Sequence, residues 1–411
     1  MIAQSNLKVF LALFLVIVID AMGIGIVFPV LSPLVLNQSS SLIDPQTTLS
    51  IREMLYGALI GIFSLFLLLG APLLGEISDG SGRRKALLIC LAGTALSFFL
   101  CAVGIWINSL WLLFAGRAIN GFTAGSCSIA QAVIADMSTP EHKAKNLSLI
   151  TLANCFGFVL GPIFGGYFAD NPLIESAGYA TPFIMAGLLA LLNILFMLCF
   201  VHDNNQIKRK VHLQLSRGIR IFADSIRLPH VRKISLLFLS MQLAWSMYFQ
   251  FISILLVQNH HYSPTGIGIF MTFIGILFGI CLAFIIRIIL RFTTLEVSVR
   301  IAFLILAASL GLSALAETEI HQWLITIPVT LSVSTLYTGC LTLFSNAVDK
   351  TQQGWVMGVS AAVAAVAWTV GAALAGLLGE WSIGAPFIAA AVFAIIGGII
   401  SLKIKENIQG H

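Results

Sequence analysis

Residues 54–106 read MLYGALIGIFSLFLLLGAPLLGEISDGSGRRKALLICLAGTALSFFLCAVGIW. Two apolar runs flank one polar turn that closes on three consecutive cations. Each run is long enough to cross a hydrocarbon core of ~30 Å at ~1.5 Å per residue. The same alternation recurs along the whole chain of 411 residues, of which 58 % are hydrophobic and 9 % charged. A soluble domain carries about a quarter charged residues, and disorder requires low hydrophobicity with high net charge. A mean hydropathy of +0.99 excludes both. The chain reads as a polytopic membrane protein.

Apolar runs between polar breaks predict twelve spans, at about 7–35, 54–75, 86–106, 111–136, 147–168, 181–201, 234–257, 266–286, 297–316, 322–347, 354–379 and 385–403. The first is too long for the core of a signal peptide and lacks a small-residue cleavage site. All seven cysteines lie in apolar stretches without paired spacing, so they read as small core residues rather than disulfides, zinc ligands or nucleophiles. No nucleotide-binding P-loop is present, which argues against an ATP-driven pump.

An even number of spans puts both termini on one side, and basic residues mark the cytoplasmic side. With the N-terminus inside, all of the 22 Lys and Arg except Arg52 (external) and Arg117 (within a span) become cytoplasmic. Trp106, Trp111, Trp323 and Trp381 then sit at external helix ends, as an aromatic belt requires. The charge of +5 is therefore a membrane-orientation signal, and no nucleic-acid partner is implied.

The hydrophilic stretch 202–233 divides the chain into six spans, 1–201, and six more, 234–411. Within it Leu215, Ile219, Phe222 and Ile226 have helical spacing among Arg217, Arg220 and Arg227, which predicts an interfacial helix on the anionic inner leaflet. A solvated basic linker is the alternative reading. The external loop 36–53 is rich in Ser and Thr and holds the Asn37-Gln38-Ser39 sequon. Residues 144–166 (AKNLSLITLANCFGFVLGPIFGG) align without gaps on 354–376 (GWVMGVSAAVAAVAWTVGAALAG), matching Gly161 to Gly371 and Gly166 to Gly376. Parallel six-span halves with a substrate path between them are one known transporter plan.

Ionisable groups inside a bilayer are expensive and therefore informative. Asp20, roughly 20 Å into the first span, and Arg117, roughly 9 Å in from the outer edge of the fourth, fall at similar depth by helical rise. An isolated charge there costs at least ~2.5–3.5 kcal/mol. Mutual pairing would offset that cost, and protonation of Asp20 would release Arg117, a proton switch in outline. A permanent ion pair locking two helices is the competing reading. In the turn Gly75-Glu-Ile-Ser-Asp79-Gly-Ser-Gly82-Arg83-Arg84-Lys85, Asp79 is expected just ahead of a helix starting near Ala86. The cations would answer lipid phosphates or an acid such as Asp136.

Four stretches together resemble the major facilitator superfamily. The turn just quoted is similar to its loop signature G-x-x-x-D-R-x-G-R-R, and Arg117-Ala-Ile-Asn120-Gly121 to its fourth-helix signature R-x-x-Q-G. Gly157-x-x-x-Gly161-Pro162-x-x-Gly165-Gly166 resembles the fifth-helix "antiporter" signature in every defined position. Asp20-x-x-Gly23-x-Gly25-x-x-x-Pro29-Val30-Leu31 resembles the first-helix pattern of the tetracycline and multidrug proton-antiporter branch. The resemblance implies an all-α polytopic membrane protein whose 12 transmembrane helices form two pseudo-symmetric six-helix bundles, the major facilitator fold. It also implies an inner gate in which Arg83 pairs with Asp136 and Asp79 lies near Gly354. Arg117 and Asp20 would couple protons, and the glycines and Pro162 of the fifth span would pack against a helix of the other half.

Departures are also legible. Gly80 stands where the loop signature has arginine, Asn120 replaces glutamine, and residues 287–296 lack the loop signature in the second half. No acid occupies span seven, so proton coupling belongs to the first half. Gln242, Trp245, Tyr248, Phe249 and Gln250 in that span, with Gln131, Asn154, Tyr337 and Trp368 elsewhere, are candidates to face a neutral or amphipathic organic ligand. Helix–helix contact is the alternative for each.

The reading is a secondary transporter, a proton antiporter exporting small amphipathic compounds by alternating access. It would be a monomer in a bacterial inner membrane with both termini cytoplasmic. Its partners would be a small-molecule substrate, protons and the lipid bilayer, with no cofactor, no metal and no enzymatic activity. Alternatives are a proton symporter or facilitator importing a nutrient or a metal-chelating compound, and a receptor or scaffold with a transporter fold.

Overall fold

The computed structural model describes residues 4–38, 40–138, 143–171, 175–201, 216–349 and 352–403. Among them there is no strand. The helices are α1 (Gln4–Leu36), α2 (Leu49–Ser81), α3 (Arg83–Trp106), α4 (Leu110–Thr123), α5 (Ser126–Met137), α6 (Lys143–Asp170), α7 (Thr181–Phe200) and the short α8 (Arg217–Arg227). They continue with α9 (Pro229–His260), α10 (Pro264–Ile280), α11 (Ile286–Phe292), α12 (Leu295–Leu315), α13 (Glu319–Asn346), α14 (Gln353–Gly379) and α15 (Ala385–Leu402).

Among the described residues, eleven segments are long and apolar enough to cross a membrane. The twelfth crossing is made by α4 and α5 end to end, so the fourth span is broken rather than continuous over 111–136. The break has a local cause: the Thr123 hydroxyl donates to the Ile119 carbonyl at 2.8 Å, a back-bond that bends helices. Glycine follows at 125, where a β-carbon would lie 3.1 Å from Leu74. One wide turn, Cys281–Ile285, interrupts the eighth crossing between α10 and α11, a form frequent at functional positions.

Two further boundaries differ from expectation. Helix α2 begins at Leu49, so Arg52 and Glu53 belong to its first turn instead of an external loop, and both are buried. At its other end α2 runs to Ser81 and α3 starts at Arg83, so Asp79 closes one helix rather than preceding the next. A helix does form in the linker, α8, which carries Ile219, Phe222 and Ile226; Leu215 lies outside the described residues, as does Ser39 of the sequon.

The chain forms two compact units, one of Met1–Thr47, Ile62–Gly218 and Tyr262–Phe273, the other of Thr48–Gly61, Ile219–His261 and Ile274–His411. Each unit thus includes one short segment from the opposite side of the 202–233 division. In the first unit α6 lies along α1. A β-carbon at Gly157, Gly161 or Gly165 would come within 2.4, 2.7 and 2.9 Å of Ala21, Met22 and Ile26 respectively. Small residues every fourth position bring the backbones this close. Three antiporter-signature glycines therefore pack on α1 of their own half, correcting the expectation of a partner from the other half. Gly166 alone turns to Pro264 of α10, and Gly268 of α10 meets the Pro162 carbonyl.

In the second unit α9 is the central, most enclosed helix, lined by α13, α14 and α15. The aligned repeat glycines make matching contacts. Gly161 packs on α1 and Gly371 on Ser246 and Met247 of α9, each the first span of its half. Gly166 packs on α10 and Gly376 on Glu53, Met54 and Gly57 of α2. Gly57 and Gly61 are packing residues against Ala372 and Thr369 of α14, as their spacing suggests.

Candidate proton and substrate site

Asp20 lies on α1, which packs against α5 and α6 of the same unit. Its buried Oδ2 has no hydrogen-bond partner among the described residues. Asn154 of α6 donates to Cys127 Sγ at 3.5 Å and to the Ile150 carbonyl at 3.2 Å. Gln131 of α5 points its amide nitrogen at the same sulfur, 3.9 Å away. Two residues expected to face a ligand are thereby brought together at Cys127.

The expected ion pair with Arg117 is not formed: among the described residues Asp20 makes none. The two side chains leave their helices toward different neighbours. Arg117 of α4 faces α2, with its guanidinium carbon 4.7 Å from the centroid of the Phe63 ring, a distance at which a cation is attracted by the ring face. One turn on, Asn120 donates to Ser97 Oγ at 2.8 Å. Gly121 meets the Phe63 carbonyl and Gly70 the Phe122 carbonyl, each at 2.0 Å from a hypothetical β-carbon. The fourth-helix signature therefore marks the tight α2–α4 crossing.

In the loop signature Arg83 pairs with Asp79 at 2.5 Å and reaches Ser78 Oγ at 3.1 Å, while Arg84 donates to the Leu198 carbonyl at 2.9 Å. The expected pairing of Arg83 with Asp136 rests on a side chain that the structure does not describe. Gly75 has open space around it. Gly82 has φ of 106°, a backbone conformation that other L-residues adopt only with strain. Replacing it by alanine should cost about 1–2 kcal/mol of stability. Unfolding of the detergent-solubilised variant would show this, and an unchanged unfolding free energy would contradict it. Sequence reading missed Glu76, whose carboxylate pairs with Arg217 at the start of α8.

The aromatic candidates assemble in the second unit. Trp245 has Tyr248, Phe249 and Phe278 at 6.1, 5.0 and 6.4 Å between ring centroids. Phe249 continues to Trp368 at 5.9 Å and Phe278 to Tyr337 at 6.4 Å. Four helices, α9, α10, α13 and α14, thus contribute to one aromatic network. Tyr248 is fully buried, its hydroxyl shared with Thr326 at 2.7 Å. Gln242 is buried, and Gln250 donates to the Trp368 carbonyl at 3.4 Å. Phe278 was not singled out because an aromatic in an aliphatic span has no periodic signature.

Glu53 was also missed. It is 2 % exposed and accepts from Gln258 Nε2 of α9 at 2.7 Å, while its Oε2 has no partner. Reading it as a loop residue hid it.

The family model described as Major Facilitator Superfamily matches residues 13–335. The chain belongs to the Major Facilitator Superfamily. It is an integral membrane protein with the fold of that family's transporters. It is 29 % identical over 272 residues to the class C tetracycline resistance protein of Escherichia coli, covering 66 % of this chain and 64 % of that protein. With the class E tetracycline resistance protein of the same organism it shares 34 % identity over 207 residues, 49 % of this chain and 46 % of the relative. The chain thus spans less than two thirds of the length of these relatives. The human organic anion transporter MFSD10 (TETRAN) superposes with a TM-score of 0.70 at 22 % identity, covering 97 % of this chain and 100 % of that one. That likeness supports the facilitator fold alone.

Proposed function

We propose that this superfamily member is a proton-coupled antiporter that exports small amphipathic organic compounds. The single observation that carries the reading is Asp20, an acid within a membrane span whose buried oxygen is unpartnered. A carboxyl group kept there at such cost has a functional use by default. Asp20 is the proton carrier, on the helix against which α5 and α6, the bearers of Gln131, Cys127 and Asn154, are packed. Arg117 is a positioning residue that braces α4 against Phe63. The aromatic network around Trp245 supplies apolar, stackable surface for a ligand. Arg83, Arg84 and Asp79 form the inner gate, and Asp136 is retained as its expected partner. The 1–201 and 234–411 bundles rock around the substrate path, with both termini cytoplasmic in a bacterial inner membrane. Export is favoured over import by relatives named for tetracycline resistance, since a transporter confers resistance by moving a drug outward.

Everted membrane vesicles with an acidified lumen test the direction. Tetracycline added outside should enter the lumen and dissipate the pH gradient as protons leave in exchange. Uptake without proton movement would make the protein a facilitator, and, in vesicles preloaded with the drug, its exit together with protons would make it a symporter. Either result overturns the antiport reading.

A further inference from the structure

Helices α1, α6 and α7 of the first unit enclose a cavity of about 420 Å³, within the ~300–1,000 Å³ typical of small-molecule sites. Its wall is hydrocarbon and aromatic, built from side chains such as Val18 and Met22 of α1, Ile163 and Phe164 of α6 and Phe196 of α7. Asn193 is the exception. It is 1 % exposed, and both its Nδ2 and its Oδ1 lack a hydrogen-bond partner. A buried amide left without partners carries its full desolvation cost. Asn193 does not relieve it by bonding back to its own helix.

The mouth of the cavity identifies the source of an occupant. Leu160, Tyr167 and Leu192 are 43 %, 52 % and 50 % exposed. In a membrane-spanning segment such side chains meet acyl chains rather than water. The chemistry of the carboxamide then selects among what the bilayer holds. It offers one donor and one acceptor side by side, and its complement is a group presenting an acceptor beside a donor. A neutral carboxylic acid does so. An ester lacks the donor, and an ionised carboxylate would face Oδ1 with a second negative oxygen.

We propose that this cavity takes up a fatty acid from the surrounding bilayer, its chain along the α1–α6–α7 wall and its protonated carboxyl group paired with Asn193. The proposal uses neither the Asp20 carboxyl group nor the Trp245 network and does not depend on the direction or coupling of transport.

A diazirine-bearing palmitic acid, photolysed at acidic pH with the purified protein in phospholipid nanodiscs, tests it by mass spectrometry of the adducts. Label should concentrate on peptides of α1, α6 and α7. It should fall about tenfold in Asn193→Leu, and about tenfold when the methyl ester replaces the acid, the scale expected from losing one good hydrogen-bonded pair. Equal labelling of the variant, or equal labelling by the ester, overturns the proposal, because the cavity then takes any hydrocarbon. If Asn193→Leu does not fold, Ile163→Trp, which fills the cavity and leaves the amide in place, must remove the label. Persistent label in a folded Ile163→Trp protein overturns the proposal as well.

Discussion

Asp20→Asn should abolish proton-driven drug accumulation in everted vesicles while leaving drug–drug exchange intact. Asparagine has the shape and charge of the protonated acid, so the variant is held permanently in one protonation state. An imposed gradient of about two pH units supports an accumulation ratio of up to ~100-fold for one proton exchanged per drug, because each unit is worth ~1.4 kcal/mol, a factor of ten. In the variant that ratio should collapse to about unity, since a carrier that cannot exchange a proton only equilibrates its substrate. Counterflow of labelled against unlabelled drug requires no net proton movement and should persist within about threefold. Continued accumulation by Asp20→Asn would remove Asp20 from the coupling path. Loss of counterflow as well would show that the residue is needed for substrate rather than for protons. The absence of an ion pair to Arg117 sharpens the expectation: Asp20 is not spent as a structural counter-ion, so its replacement releases no buried cation.

The second large effect concerns the α2–α4 crossing. Gly121→Val should prevent accumulation of folded protein. A β-carbon at this position would lie 2.0 Å from the Phe63 carbonyl oxygen and 2.8 Å from its carbon, against contact distances near ~3.5 Å. Backbone cannot swing aside as a side chain can, so the helices must part by more than ~1 Å. Overpacking of a well-filled core typically costs ~1–3 kcal/mol, occasionally more, from a total of only ~5–15 kcal/mol. The same displacement would pull Phe63 from beneath Arg117, which joins the stability defect to the candidate site. Gly75→Ala is the control: it faces open space on the same α2 helix and should gain up to ~1 kcal/mol from helix propensity. Gly121→Val with wild-type thermal unfolding in detergent would refute the close-crossing account.

Much of this molecule was legible in its residues because a bilayer imposes a simple code. Length and hydropathy locate spans, and cation placement orients them. Four motifs at their spacing pointed to the superfamily to which the chain belongs. Gly57, Gly61 and the span-five glycines announced close packing, since four-residue spacing of small side chains has one structural use. What the spacing did not carry was the identity of the neighbour. Gly157, Gly161 and Gly165 face α1 and only Gly166 faces α10, although all four belong to one motif, because residues 165 and 166 lie about 100° apart on a helix of ~3.6 residues per turn. Asn193 could have been noticed as a lone amide in an aliphatic span, but only its neighbours reveal that both polar atoms are unsatisfied.

Hydropathy, charge asymmetry and motif order by themselves determined that this chain crosses a membrane many times as a superfamily member and that Asp20 is its conspicuous intramembrane acid. Those properties are additive along a chain and need no knowledge of contacts. Tertiary structure alone decided that Arg117 rests over Phe63 instead of pairing with Asp20, that Glu53 is buried against Gln258, and that the aromatic residues of four helices meet around Trp245. Depth follows from counting residues along one helix. Azimuth, which decides who faces whom, follows from how several helices pack at once.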